Sequence, residues 1–159
     1  MADERRLTTR MTAKWSALSR DGRLPRHADL DLGAFGKDAA NCVVIATTGA
    51  EIAAAKLIHV GELLRNDAWS PERQQIVADY QANTLLRLTT AKIAAVIAKR
   101  GPVIFGGTGV RDVSAILYRA ILLPLSDDGE TIDHILGAVN FREITAVEEY
   151  SEEAGAPQP

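Results

Sequence analysis

Side chains able to do chemistry are sparse in this chain, and their spacing argues against most reactions. The three histidines, His27, His59 and His134, are far apart in sequence, with no H-x-x-x-H and no cysteine pair beside them. A neutral imidazole is a common metal ligand, but a site needs a second and third donor at workable spacing. No such donor accompanies His59 or His134, so both read as hydrogen-bonded strand residues and the expected metal content is none. Asp127, Asp128 and Glu130 could be imagined as a paired acid and base, yet they flank Gly129 in a polar cluster that reads as a turn. A water-exposed turn offers no desolvation to separate two carboxyl pKa values. Gly106-Gly107-Thr108-Gly109 lacks the lysine and the spacing of a phosphate loop and reads as a tight connection between strands. Asp29 to Gly33 lacks the remaining oxygen ligands of a calcium loop, and no G-x-S-x-G or Cys/His nucleophile arrangement occurs.

Composition narrows the classes further. A chain of 159 residues with 47% hydrophobic and 25% charged residues is an ordinary single globular domain. Its net charge of -3, with basic residues scattered, gives no electrostatic case for nucleic acid. Cys42 is the single cysteine, so no internal disulfide can form. The first ten residues, MADERRLTTR, lack the apolar core of a signal peptide. Arg119 interrupts the longest apolar run, Ala115 to Leu125, which is too short to cross a bilayer. Cytoplasmic residence without membrane insertion is the expectation.

The elements that must carry these residues follow from periodicity. Leu7, Met11, Trp15 and Leu18 share one face of an amphipathic helix, which must dock either on its own core or on another chain. Asp21 to Gly36 reads as a loop that wraps the domain. Cys42 to Thr48 and Ile52 to Val60 read as a strand pair around Gly49-Ala50. Ser70-Pro71 predicts a helix start, and near-helical spacing runs from there to Arg100, with breaks signalled at Asn83 and at Thr89-Thr90 and a firm end at Gly101-Pro102. Val103 to Phe105 is a short third strand. Ser114 to Phe141 is the strongest signal: two apolar runs around Ser126 to Glu130 predict a hairpin whose first strand, apolar on both parities, lies at the centre of a sheet. The sum is an α+β layout with an antiparallel sheet and helices gathered on one face.

At that hairpin the chain resembles the PAS sensory-domain family, in particular a bacterial stand-alone branch formerly known only as a domain of unknown function. The resemblance rests on YRAILLPLSDDGETIDHILGAVNF, Tyr118 to Phe141, which is similar to the closing hairpin of that branch. It rests also on Trp15 followed by GRLPRHADLD, Gly22 to Asp31, which resembles the lead-in to its first strand, and on KLIHVG, Lys56 to Gly61. Glu62 to Trp69 departs from the glycine-rich, tryptophan-bearing segment usual there. The resemblance implies a PAS-like five-stranded antiparallel sheet with helices on one face, plus the N-terminal amphipathic helix. With 146–159 read as a disordered tail from its acidic, small-residue and proline-containing composition, the chain divides into helix and wrapping loop (1–36), a PAS-like domain (37–145) and that tail. The resemblance also implies a small-molecule pocket between sheet and helices, for which Ile58, Tyr80, Leu88, Phe105, Tyr118 and Leu136 are the candidate lining residues. Asn41-Cys42 superficially resembles the flavin-adduct pair of photosensor PAS domains, but Val43-Val44-Ile45 follows and makes Cys42 part of a strand. No cofactor is identified.

The expected function is therefore a non-enzymatic cytoplasmic sensory or regulatory domain. It would act through a homodimer or a signalling protein partner at the Leu7, Met11, Trp15 and Leu18 face, with a small apolar ligand as a tuning input. A structural dimerisation or adaptor domain with a filled core is the alternative, and a small-molecule enzyme the remote one.

Overall fold

The computed structural model describes residues 2–47, 54–67, 76–80, 84–111 and 113–144. Helix α1 (Ala2–Leu18) leads by two 3-10 segments, His27–Asp29 and Leu32–Asn41, into strand β1 (Cys42–Ala46). Strand β2 (Lys56–Val60), short helices α2 (Leu85–Thr89) and α3 (Ile93–Lys99), and strands β3 (Val103–Arg111), β4 (Ser114–Leu125) and β5 (His134–Glu143) follow. The strands form one five-stranded sheet in the order β2-β1-β5-β4-β3 with every neighbouring pair antiparallel. This is the α+β, PAS-like arrangement that the resemblance implied.

Strand β4 sets the architecture. Its even positions Ile116, Ala120 and Leu122 face a core shared with Val43, Ile45, Leu57, Leu85, Leu86, Ile93 and Val96, under α2 and α3. Its odd positions Ile121, Leu123 and Leu125 face a second core closed by Leu7 and Met11 of α1 together with Phe35, Cys42, Val44 and Leu136. Both faces of β4 are thus covered, and a strand apolar on both parities is satisfied by two different layers. Helix α1 is held by more than its apolar face. Trp15 Nε1 donates to the Pro124 carbonyl at 2.8 Å. Arg10 donates twice, at 2.8 Å each, to the carboxylate of Asp38, which is only 4% exposed.

Pro124 sits in a central strand without breaking the sheet because β3 begins at Val103, paired with Leu122, so the edge strand stops short of the missing N–H. The carbonyl on the same side is then free for Trp15.

The structure departs from the sequence reading in three places. In the stretch expected to be helical from Pro71, ahead of the break signalled at Asn83, Val77–Asp79 is a 3-10 turn, and α2 begins only after Thr84, whose side chain accepts from Arg87 N. The expected helix start at Ser70-Pro71 lies outside the described residues, as does the 146–159 tail. The expected break at the threonines is present, because Thr89 and Thr90 Oγ1 donate to the Leu85 and Leu86 carbonyls at the end of α2. Second, the glycine run is not a loop. Strand β3 continues through it to Arg111, with Gly106 opposite Arg119, Gly107 opposite Tyr118 and Arg111 opposite Ser114. Pairing with β4 outweighs the low strand preference of glycine, and a Cβ at Gly106 would lie 2.6 Å from the Tyr118 carbonyl oxygen. Third, β2 starts at Lys56, Ala54 and Ala55 preceding it outside the strand.

Two outcomes test the layers. A Cβ at Gly137 would meet Val43 Cγ2 at 2.8 Å and Leu122 Cδ2 at 3.0 Å beneath α2. Gly137→Ala is therefore expected to lower stability by about 1–3 kcal/mol in urea unfolding with an unchanged m-value; an unchanged midpoint would mean that this contact is loose. The hydrogen bonds from Arg10 hold the Asp38 carboxyl below its usual 3.8. Its stabilisation should be complete above the unfolded-chain value and lost as pH falls through the lower folded one. Asp38→Asn should cost roughly 1–2 kcal/mol at pH 7, discounted for the partial exposure of Arg10, and the gap between variant and wild type should close in acid. A pH-independent gap would assign the loss to packing instead.

Candidate functional site

Two of the stretches that carry the resemblance, Gly22 to Asp31 and Tyr118 to Phe141, meet in space at one end of the sheet. The loop leaving α1 passes over the turn between β4 and β5. Ser126 N donates to the Pro25 carbonyl at 2.8 Å, and Ala28 N donates to Asp127 Oδ1 at 3.3 Å. The turn holds its own shape through Asp128, whose Oδ1 accepts from Ser126 Oγ at 3.0 Å and from Glu130 N and Thr131 N at 2.8 Å each. The Thr131 and Glu130 amides, with the Ser126 hydroxyl, keep the Asp128 carboxyl below its ordinary value. Asp128 is a turn residue, as its position beside Gly129 predicted.

Two imidazoles lie over this turn. The rings of His27 and His134 are stacked with centroids 3.8 Å apart and planes within 10°. His134 Nδ1 lies 2.7 Å from Asp133 Oδ1, so that nitrogen donates to the carboxylate and Nε2 is left as the acceptor in the neutral ring. Asp133 Oδ2 in turn accepts from Asp127 N at 2.9 Å. Burial and then the neighbouring His134 hold the His27 pKa below that of a free imidazole. Beside the histidines an open cleft of ≈ 280 Å³ is lined by Arg20, Arg23, Arg26, Asp29, Asp127 and Asp128, among others. Sequence reasoning treated each histidine alone and found no second donor; the fold supplies one for His134 from a loop far away in the chain. The only sequence signal was that these two motifs each carry one histidine among acidic residues.

The residues proposed for a pocket do not form one set. Tyr80 is buried in the core beneath α2 and α3, and Phe105 and Tyr118 pack on that core edge to face with centroids 6.3 Å apart. Leu88 is half-buried on α2. Leu136 is on the opposite face, packed with α1, because it pairs with Val44 and Leu123. Ile58 is 45% exposed: the register between β1 and β2 shifts at Val44/Ile45, leaving Ile58 as the extra residue of an irregularity that simple alternation cannot anticipate. On the proposed partner face, Leu7 and Met11 are 2% and 0% exposed against the chain's own sheet. Trp15 is tied to Pro124, and Leu18 lines the cleft by the turn.

Cys42 opens β1, fully buried, with Sγ donating to the Asp38 carbonyl at 3.3 Å. His59 lies in β2, where burial and then Arg65 lower its pKa. No helix among the described residues is long and apolar enough to cross a membrane.

No family model matches the chain, and no curated protein does. Among solved structures it is similar to the dark structure of the blue-light photoreceptor Aureochrome1 LOV, at 15% identity over 82% of this chain and 94% of that one, TM-score 0.49. It is similar also to the LOV domain from the Erythrobacter litoralis EL346 blue-light activated histidine kinase, at 14% identity over 65% of this chain and 95% of that one, TM-score 0.47. A third is the PAS domain from Bordetella pertussis BvgS, at 12% identity over 74% of this chain and 88% of that one, TM-score 0.43.

Burial pushes the Cys42 thiol up to about 12. The thiol should therefore stay protonated and inert to Ellman's reagent at pH 8 in the folded protein and react fully once denatured. Reaction of the native protein at the rate of a free thiol would contradict the burial of β1 beneath α1.

Proposed function

We propose that this chain is a non-enzymatic, cytoplasmic regulatory domain of PAS type that acts by protein contact, with a second copy of itself as the partner. The observation that carries the reading is a half-covered sheet face. Helix α1 covers the Ile121 to Leu125 end of its face but not the edge strand. Ile104, which pairs with Ile121 and so shares that face, is 50% exposed, and Val110 on the same parity is 37% exposed. Beside Ile104 runs a shallow groove along the flank of α1 lined by Thr8, Thr9, Thr12, Ala13 and Ser16. Thr12 Oγ1 donates to the Thr8 carbonyl, so its polar atom is already engaged and its methyl group is left for a neighbour. Small side chains on a helix beside a bare isoleucine on an edge strand are the two halves of one helix-on-sheet contact. A two-fold axis next to Ile104 would place each copy's α1 flank on the other's strand, which makes the patch self-complementary.

This surface lies next to the helix face first expected to carry the contact. The apolar face holds α1 to its own domain, and the flank is left for the partner. Between the sheet and the α2–α3 layer, Ile45, Leu57, Leu85, Leu86, Ile93, Val96, Ile116 and Leu122 are each no more than 2% exposed and pack as one cluster. That packing favours contact over small-molecule sensing as the input. The absence of catalytic activity is supported by the sealed Cys42 and by the commitment of Asp128 to its turn.

Light scattering on the eluting peak of a sizing column tests the proposal. Wild type should elute as a dimer at high micromolar concentration, and Ile104→Arg as a folded monomer. A wild-type monomer at that concentration would refute self-association, and a dimer unaffected by Ile104→Arg would place the interface elsewhere.

A further inference from the structure

The geometry points to a second site that is independent of the dimer surface: we propose that His27, Asp127 and His134 bind a divalent transition-metal ion, with zinc, cobalt and nickel as the fitting class. One ligand atom from each of the three residues lies within 4.8 Å of the others. Two imidazole nitrogens and one carboxylate oxygen form a donor set of borderline softness that suits such ions and not calcium or magnesium, which take oxygen ligands. Metal–ligand bonds of about 2.0–2.2 Å bring ligand atoms closer together than this, so binding draws the three inward. The movement needed is small and is available, because Asp127 is exposed and His27 sits in a single 3-10 turn. The parallel rings must tilt so that both lone pairs converge.

The surroundings are arranged as metal sites require. Asp133 accepts from His134 Nδ1 at 2.7 Å, which fixes the tautomer that presents Nε2 and orients the ring. Its other oxygen accepts from Asp127 N at 2.9 Å, so one carboxylate positions two of the three ligands. The third ligand is set by the backbone: Pro25 and Ala28, on either side of His27, are both hydrogen-bonded to the turn. Asp128 is consumed by the turn and takes no part. Three protein ligands leave the remaining coordination positions open toward solvent. The ion ties the loop leaving α1 to the β4–β5 turn, and with it one end of the layer that covers the sheet.

The test uses the full chain and the metal alone. Titration with cobalt(II) chloride, followed by visible d–d absorption and by calorimetry, should show one equivalent bound. His27→Ala and His134→Ala should each lose at least a hundredfold in affinity, and Asp133→Asn about tenfold, as expected for an orienting partner. His59→Ala should bind as wild type does. Zinc should raise the melting temperature of wild type and not that of His27→Ala, and circular dichroism of the metal-free variants should match wild type. The proposal is overturned if cobalt gives no d–d band at millimolar concentration, if both His27→Ala and His134→Ala retain wild-type affinity, or if His59→Ala is the variant that loses it.

Discussion

A central strand that is apolar on both faces cannot be left with one face in water. Ile116, Ala120 and Leu122 on one side of β4 and Ile121, Leu123 and Leu125 on the other are all fully buried, and each large side chain among them contributes about 1.5–3 kcal/mol on burial. The sheet therefore needs two covers, and the chain provides them from two separate parts of its sequence: α1 before the first strand, α2 and α3 between the second and third. The N-terminal helix is a structural layer, pinned by the Trp15 bond to Pro124 and the Arg10 pair with Asp38.

The histidine cluster is a by-product of that requirement. Once α1 lies across β4 and β5, the chain must travel from its end back to the start of β1, and the route passes the β4–β5 turn. Pro25 and Ala28 bond to that turn, and His27 between them is brought onto His134. Asp133 then has two roles, since its backbone carbonyl accepts from Thr47 N while its carboxylate serves His134 and Asp127. A site built this way is as firm as the two layers that define it.

Much of this was legible in the sequence where physics acts locally. The hairpin was visible because two apolar runs bracket an Asp-Gly turn, α1 because four apolar residues repeat at helical spacing, and the parting of α2 from α3 because adjacent threonines turn their hydroxyls on the backbone. What escaped is non-local. Gly106 and Gly107 join a strand only because β4 offers them partners. Helical spacing carried the expectation through Val77–Asp79, where a 3-10 turn stands, because periodicity cannot see that Thr84 caps a later start. Ile58 left the pocket because of a register shift between β1 and β2, and Leu136 because the parity of β5 is fixed by its neighbours. His27 and His134 carry no mutual spacing signal; their proximity is a property of topology alone.

The Trp15 bond to Pro124 spans a sequence separation of 109 residues, and this has a bearing on how the chain comes off the ribosome. Helix α1 is made before β4 and β5, the strands on which it has its seat, while the β1–β2 pair and the α2–α3 layer can begin to assemble earlier. Long-range closure of this kind is slow relative to local structure. Through most of synthesis the apolar side of α1 is therefore without its own surface, and a nascent chain stalled before β5 presents that helix to whatever chaperone or neighbouring chain is at hand. Completion of the domain is gated by its final hairpin.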